Sequence, residues 1–182
     1  MKAAQGVDAF YGLSDNNYQW DESSTRSQFS GDGYHVTTAI KNYTFFCNAS
    51  ATNFSNFAYE VQMTLLKGDS GGLVFRANAD NATFYYFRID SAGSYRLIIF
   101  TGHTGAGILQ NGTISAFHQG LGKSNLLAAV ANGNHLSLYV NHVHITDVLE
   151  NTYSHGQIGV AVSTADHPPA EAVFTNAKVW KF

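Results

Sequence analysis

"FAYEVQMTLLKGDSGGLVFRANADNATFYYFRID", Phe57 to Asp90, is the stretch that decides the fold class. Its first ten residues alternate between apolar side chains and a second set that includes Glu60 and Gln62, as in a strand with one buried face. Two more apolar runs, GLVFRA and TFYYFRID, follow after clusters of Gly, Asn and Asp. If the three strands pair as a meander, one sheet face collects polar and aromatic side chains, namely Glu60, Gln62, Arg76, Tyr86 and Arg88.

The rest of the chain repeats this pattern of short apolar runs between turn residues, and helical periodicity is almost absent. We predict strands near 27–30, 33–40, 43–47, 57–67, 72–78, 82–90, 94–101, 107–109, 113–118, 125–131, 135–141, 143–148, 156–163 and 171–181. Many antiparallel strands with short turns favour an all-β, two-sheet antiparallel β-sandwich over a barrel. We expect residues 1–182 to form a single sandwich domain, with 1–24 as an irregular leading segment.

The composition limits the classes of partner that the chain is expected to bind. The formal net charge is -3 and the Lys and Arg residues are dispersed, so no nucleic-acid partner is expected. No apolar run approaches the roughly 18 residues of a membrane-spanning helix, and no membrane insertion is expected. The single cysteine, Cys47, follows two phenylalanines and is predicted to be a small buried hydrophobe rather than a nucleophile.

The pentapeptide Gly68-Asp69-Ser70-Gly71-Gly72 is the one that surrounds the nucleophile of trypsin-like proteases. Such enzymes place a histidine base and an orienting acid upstream of the serine, and here only His35 precedes Ser70. Between two strands the same residues suit a tight hairpin connection, because glycine supplies positive φ and Asp and Ser bond to the local backbone. We therefore predict a turn, and the chain is not expected to be a serine protease.

Five stretches carry a family resemblance: FSNFAYEVQMTLLKGDSGGLVFRAN, ATFYYFRIDSAGSYRL, NHLSLYVNHVHITDV, YSHGQIGVAV and AVFTNAKVWKF. In this order they resemble the concanavalin A-like, laminin G-like jelly-roll modules of bacteria, over residues 25–182. Similar modules occur as extracellular parts of bacterial Ser/Thr kinases and in the 3-keto-disaccharide hydrolase group. One departure is Asn141-His142 in a late hairpin, where such modules usually have Asn-Gly. The motifs are structural, so they imply a fold and leave the ligand open.

The first functional hypothesis, implied by the resemblance, is a non-catalytic, lectin-like module that binds a glycan on a concave sheet face. The polar and aromatic residues named above, Glu60 to Arg88, would hydrogen-bond and stack against the sugar. Trp20, in a polar loop, is a further candidate for a stacking platform. No residue has a catalytic role under this hypothesis.

Two alternatives stay open. The first is a glycoside hydrolase of the 3-keto-disaccharide hydrolase type with Glu60 as acid or base, although an ion pair of Glu60 with Arg76 or Arg88 is the favoured interpretation of that glutamate. The second is a sensory or adhesive domain of a larger surface or secreted protein, with a peptide or protein ligand. Each hypothesis implies an extracellular or cell-surface location.

Two metal hypotheses also follow from the sequence. The loop residues Asp15, Asp21, Asp32 and Asp166 could converge on a structural calcium ion, as happens in many sandwiches of the resembled class, but no spacing rule selects them. His142 and His144 form a His-x-His pair that supplies two ligands, whereas zinc sites use three or four. Calcium is therefore kept as a candidate, and no cofactor is assigned.

Overall fold

The computed structural model describes residues 9–13 and 15–182 as strands, turns and irregular connections. Fourteen strands are found in this part of the chain: β1 (Ala9–Gly12), β2 (Ser27–Ser30), β3 (Gly33–Thr38), β4 (Thr44–Asn48), β5 (Phe57–Lys67), β6 (Ser70–Asn78), β7 (Thr83–Asp90), β8 (Ser94–Thr101), β9 (Ala106–Thr113), β10 (Ser124–Asn132), β11 (His135–Val140), β12 (Val143–Leu149), β13 (Gln157–Ser163) and β14 (Ala170–Lys181).

The strands form two antiparallel sheets. The eight-stranded sheet has the order β12-β11-β10-β5-β14-β3-β2, with β1 paired to β14. The six-stranded sheet has the order β4-β13-β6-β7-β8-β9. The predicted two-sheet antiparallel sandwich is confirmed.

The hydrophobic core lies between the two sheets and follows from the period-two pattern of the strands. Phe57, Tyr59 and Val61 of β5 are fully buried, whereas the intervening residues of that strand are half-buried on its outer face. Tyr85, Phe87 and Ile89 of β7 face the same core from the opposite sheet. The alternation predicted for β5 and β7 is therefore the observed one.

A second, smaller apolar cluster covers the outer face of the six-stranded sheet. Phe84 stacks on Phe100 with ring centroids 4.4 Å apart. The ring centroid of Phe46 lies 4.5 Å from that of Phe84. Tyr86 and Val74 complete the middle of this cluster, and both are fully buried. Most of this face is therefore closed, and its polar part lies towards the Asp90 end of β7.

The connection from β5 to β6 passes from one sheet to the other. Glycine is required at Gly68, which has φ +80°, because a Cβ there would lie 2.5 Å from the Cα of Ala170. The predicted β5-β6-β7 meander is therefore wrong, since only β6 and β7 pair with each other. Of the predicted turn, only Gly68 and Asp69 lie between strands, because β6 begins at Ser70, and this connection crosses the sandwich instead of closing a hairpin.

Two local predictions also differ from the structure. Residues 113–118 were predicted as a strand, but β9 ends at Thr113 and the backbone then turns, with Phe117 N donating to Ile114 O. β1 lies within the leading segment that was expected to be irregular and pairs with β14. In the described part of the chain no residue is helical, and so no helix there could span a membrane.

Candidate functional site

The five predicted ligand residues do not share a sheet face, because the chain crosses between the sheets after β5. Glu60 and Gln62 lie on the outer face of the eight-stranded sheet, whereas the other three belong to the six-stranded sheet, namely Arg76, Tyr86 and Arg88. The shared polar-aromatic face is therefore wrong. Each residue has to be judged in its own surroundings.

Arg76 is buried and structural. It sits at a bulge of β6 with φ 48°, and its side chain is carried to the end of the sandwich. Its guanidinium donates to the carbonyl oxygens of Ser55, Gly133 and Tyr153 at 2.7, 2.8 and 2.9 Å. With 2% exposure, Arg76 ties three loops together and presents nothing to a ligand, so its predicted place on an open face is wrong.

Tyr86 is also closed to solvent, with its hydroxyl donating to Ala161 O at 3.4 Å. Burial raises the pKa of Tyr86 to about 12, although hydrogen bonding to Ser163 and the nearby charge of Arg88 oppose the rise. Arg88 is half-buried, and its Nε donates to Ser70 Oγ at 2.6 Å. Only Arg88 of this group keeps an accessible polar end.

Ser70 and Asp69 are both hydrogen-bonded to neighbouring strands and loops. Ser70 is fully buried, and its hydroxyl accepts from Arg88 and donates to Ser163 O at 3.5 Å. Asp69 accepts from the amides of Ala165 and His167 at 2.7 and 3.2 Å, and its other oxygen lies 2.9 Å from His167 Nδ1. Among the described residues, the hydrogen-bond partners of the Ser70 hydroxyl are Arg88 and Ser163, and neither is a histidine.

Glu60 lines a depression on the outer face of the eight-stranded sheet. We call this depression the Glu60 hollow; its volume is about 200 Å³, and it is lined by Glu60, Leu126, Ala128, Tyr139 and His142.

The hollow is built from three neighbouring strands in register. Glu60 of β5 pairs with Ala128 of β10, which pairs with Tyr139 of β11, so the carboxylate and the phenol ring stand on either side of a small floor residue. The other flank is Lys178 of β14, whose Nζ lies 3.6 Å from Glu60 Oε1. The ion pair expected with Arg76 or Arg88 is therefore wrong, and the partner is a lysine on the adjacent strand.

A chain of contacts fixes the Tyr139 ring. His144 meets it edge-on with centroids 5.2 Å apart, and His144 Nε2 lies 3.0 Å from Asp147 Oδ1. The same oxygen accepts from Ser137 Oγ at 2.6 Å. The hydrogen bond from Ser137 and then that with His144 lower the pKa of Asp147, which keeps the carboxylate charged beside the imidazole.

His142 occupies the tight turn between β11 and β12 and lines the hollow. Asn141 and His142 both have positive φ, 50° and 66°, which is the geometry that usually selects Asn-Gly. A histidine in this conformation is strained, whereas glycine would be relaxed. The departure noted in the sequence therefore places a polar ring at the hollow at a cost in backbone energy.

The other predicted ligand residues lie outside the hollow. Gln62 is half-buried on the same face, and its Nε2 donates to Ser124 Oγ at 2.8 Å. Trp20 is 2% exposed and packs against Tyr34 with centroids 5.4 Å apart. Trp20 is thus a core residue, and its proposed use as a stacking platform is wrong.

The four calcium candidates each have a local partner. Asp15 accepts from Asn17 N, Asp21 from Asn48 N, Asp32 from Ser30 Oγ, and Asp166 lies 3.4 Å from Lys41 Nζ. Among residues 9–13 and 15–182, no three His, Cys, Asp or Glu side chains group closely enough to hold a metal ion. The aspartates do not converge, and the His142-x-His144 pair acquires no third ligand there.

No protein-family model and no curated protein sequence matches the chain. The carbohydrate-binding module CBM66 from Bacillus subtilis has a TM-score of 0.71 at 20% identity, with 97% of this chain and 98% of that chain covered. The chain has the concanavalin A-like β-sandwich fold. Two further solved structures are also similar. One is a native glycosidic hydrolase, with a TM-score of 0.68 at 12% identity, which covers 94% of this chain and 95% of that chain. The other is the exoplasmic/lumenal domain of VIP36 in its Ca2+/Man3GlcNAc-bound form, with a TM-score of 0.64 at 10% identity, which covers 91% of this chain and 86% of that chain.

Sequence reasoning did not assign Tyr139 or Leu126 to the site and gave His142 only a metal role. The period-two pattern of HLSLYV does put Tyr139 opposite the core leucines, so its outward direction was available from the sequence. The missing information was the pairing of β10 and β11 beside β5, which brings residues from distant parts of the chain next to Glu60.

Proposed function

We propose that this chain is a non-catalytic carbohydrate-binding module that holds a neutral sugar in the Glu60 hollow. The observation that carries the proposal is the grouping of a carboxylate, an aromatic ring and an imidazole around a shallow space of about 200 Å³. The fold similarity to a carbohydrate-binding module and to a sugar-bound lumenal domain supports a ligand of this class.

Each group has a distinct task towards a sugar. The Glu60 carboxylate accepts hydrogen bonds from two hydroxyl groups, and Lys178, whose Nζ lies 3.6 Å from Glu60 Oε1, donates to a further oxygen. The Tyr139 ring offers an apolar face to the C–H groups of the sugar ring. His142, exposed at the rim, can donate or accept.

The strain at His142 supports the same proposal. A tight turn with positive φ at both central residues is more stable with glycine at the second position. The chain instead carries a ring there, and residues held in unfavourable backbone conformations concentrate at binding sites. In this proposal the ring is retained because it contacts the sugar.

The contacts among Ser137, Asp147 and His144 serve the site by positioning. His144 contacts the edge of Tyr139 and does not line the hollow, so we assign it a positioning role. A fixed ring loses less side-chain entropy on binding than a mobile one.

The hydrolase alternative has weaker support at this site. Hydrolysis of a glycoside uses two carboxylates about 5–10 Å apart. Among the described residues that line the hollow, Glu60 is the sole carboxylate. Binding without turnover is therefore the function that this geometry supports best. We also propose that the module is located outside the cell or on its surface, as part of a larger protein.

The test is a glycan array of neutral β-glucan, mannan, xylan, galactan and fructan fragments, with and without calcium, followed by calorimetry on the best binder. Because a hydrogen bond to a charged group contributes about 1.5–3 kcal/mol, Glu60→Gln should weaken binding by roughly 10- to 100-fold. Tyr139→Ala should weaken it at least tenfold, since stacking and apolar contact are both removed.

The matched controls are Glu22→Gln and Tyr43→Ala, which alter an exposed glutamate and an exposed tyrosine outside the hollow. Both should bind as the parent does. Absence of binding to every glycan, or equal losses in the control variants, would refute the proposal. Release of reducing sugar from the bound glycan by the parent protein, abolished in Glu60→Gln, would establish the hydrolase alternative instead.

A further inference from the structure

Two arginines stand directly opposite each other on the outer face of the six-stranded sheet. Arg88 of β7 is the register partner of Arg96 of β8, and both point away from the core, which is lined by their neighbours Phe87 and Leu97. Like charges at directly opposed positions of an antiparallel pair destabilise the pairing. We call these two residues the arginine pair.

Neither arginine of the pair forms an ion pair within the part of the chain that the structure describes. The ion pairs found there within 4.0 Å involve histidines and lysines, and none includes Arg88 or Arg96. Asp90 lies beside the pair, but its Oδ1 already accepts from the amides of Ala92 and Ser94 at 3.0 and 2.9 Å. Asp90 is therefore a nearby negative charge that is not in an ion pair with either arginine.

Arg88 is held in place for a ligand. Its Nε donates to the fully buried Ser70 Oγ at 2.6 Å, which fixes the plane of the guanidinium. No hydrogen bond of its two terminal nitrogens is found among the described residues. The neighbour of Arg88 on the other strand is Gly72, which adds no side chain to that flank. A fixed guanidinium with two open nitrogens is suited to bidentate binding of an oxyanion.

The space beside the pair has a volume of about 160 Å³ and is lined by Arg88, Asp90, Ser94 and Arg96. Two positive charges and one negative charge leave this depression with one net positive charge, which matches a single negative charge on a ligand. Asp90 and Ser94 add groups that bond to hydroxyls. A carboxylate or a sulfate ester attached to a sugar supplies both the charge and the hydroxyls.

We propose that the arginine pair binds a monoanionic group, a uronic acid carboxylate or a sulfate ester, on an acidic polysaccharide. This site lies on the sheet opposite to the Glu60 hollow, so it is a second site and does not depend on the proposal for neutral sugars. The protein as a whole carries a net charge of -3, so overall attraction for a polyanion does not explain such binding.

The test measures binding of the whole chain to polygalacturonate, dextran sulfate and uncharged dextran, at low and at high salt. Binding to either polyanion, weaker at high salt, and none to dextran is expected. Arg96→Gln should weaken binding about tenfold or more, because it removes a charged donor from the depression. Arg26→Gln is the control, since it changes the net charge equally at an exposed arginine elsewhere.

The two polyanions distinguish the sources of the charge: retention by polygalacturonate alone identifies a carboxylate, by dextran sulfate alone a sulfate ester, and by both a shared oxyanion site. Binding to neither polyanion overturns the proposal. Equal loss in Arg26→Gln and Arg96→Gln overturns it too, because attraction would then be unspecific. Glu22→Gln, which changes an exposed glutamate outside both sites, should leave polyanion binding unchanged, and unfolding midpoints of all variants confirm that each is folded.

Discussion

Replacing His142 by glycine removes a strained conformation and a proposed binding group in one change. His142 has φ 66°, and a non-glycine residue in this region costs roughly 1–2 kcal/mol of folding free energy. Relief of this strain by glycine is offset in part, because glycine has a larger conformational entropy in the unfolded chain. The side chain is exposed, so its own contacts contribute little to stability. We expect His142→Gly to stabilise the fold by about 1 kcal/mol, which is a rise of roughly 2–4 °C in Tm for a chain of this size.

The matched variant is His142→Ala, which removes the imidazole and keeps the strain. Urea unfolding of both should show the glycine variant more stable than the alanine variant by about 1 kcal/mol, with unchanged m-values. Calorimetry with the sugar identified on the array should show equal losses of affinity in the two. Equal stability of the two variants would refute the strain argument, and undiminished affinity in both would refute the binding role of the ring.

Three further predictions concern the scaffold. Arg76→Ala should lower the free energy of unfolding by about 3–5 kcal/mol in urea titrations, because three carbonyls lose a buried charged donor, whereas Arg96→Ala should stay within about 0.5 kcal/mol. Burial raises the pKa of Asp69, but hydrogen bonds from Ala165 and His167 outweigh this effect, and the net result is a lowered pKa. The stability that Asp69 adds to the folded state is therefore present above about pH 4 and is lost as the pH falls through the folded-state pKa. The loss of unfolding free energy caused by Asp69→Asn should accordingly become smaller in unfolding measured from pH 7 to pH 3. Burial raises the pKa of the Cys47 thiol to about 12, so a thiol reagent should label Cys47 only after unfolding, and labelling of the native protein at pH 8 would contradict its burial.

The sequence was sufficient for most of the strands and for the buried faces of β5 and β7. The alternation in β5 and β7 correctly predicts which side chains meet the core, because period-two burial is a local property of a strand. Sheet membership is not local. Gly68 was identified as a turn residue, but nothing in its neighbourhood distinguishes a hairpin from a crossing between sheets, and that choice decided where Glu60 and Arg88 lie relative to each other.

The bulge at Arg76 shows a second limit. One extra residue in β6 breaks the alternation, so that Ala77 joins Val74 on the outer face and Arg76 turns into the end of the sandwich. The partners that stabilise this position are carbonyl groups of three loops distant in sequence. Such contacts leave no pattern around Arg76 itself, and a one-residue shift inverts the predicted face.

The position of β14 has a consequence for the order of folding. It is the last strand of the sequence, yet it lies inside the eight-stranded sheet, paired with β5 and β3 on its two sides. The two halves of that sheet therefore cannot join until residues 170–181 are available, and pairings across such long loops are slow to form. During synthesis the edges of β5 and β3 that pair with β14 stay unpaired until residues 170–181 have been made, and closure of the core depends on these residues.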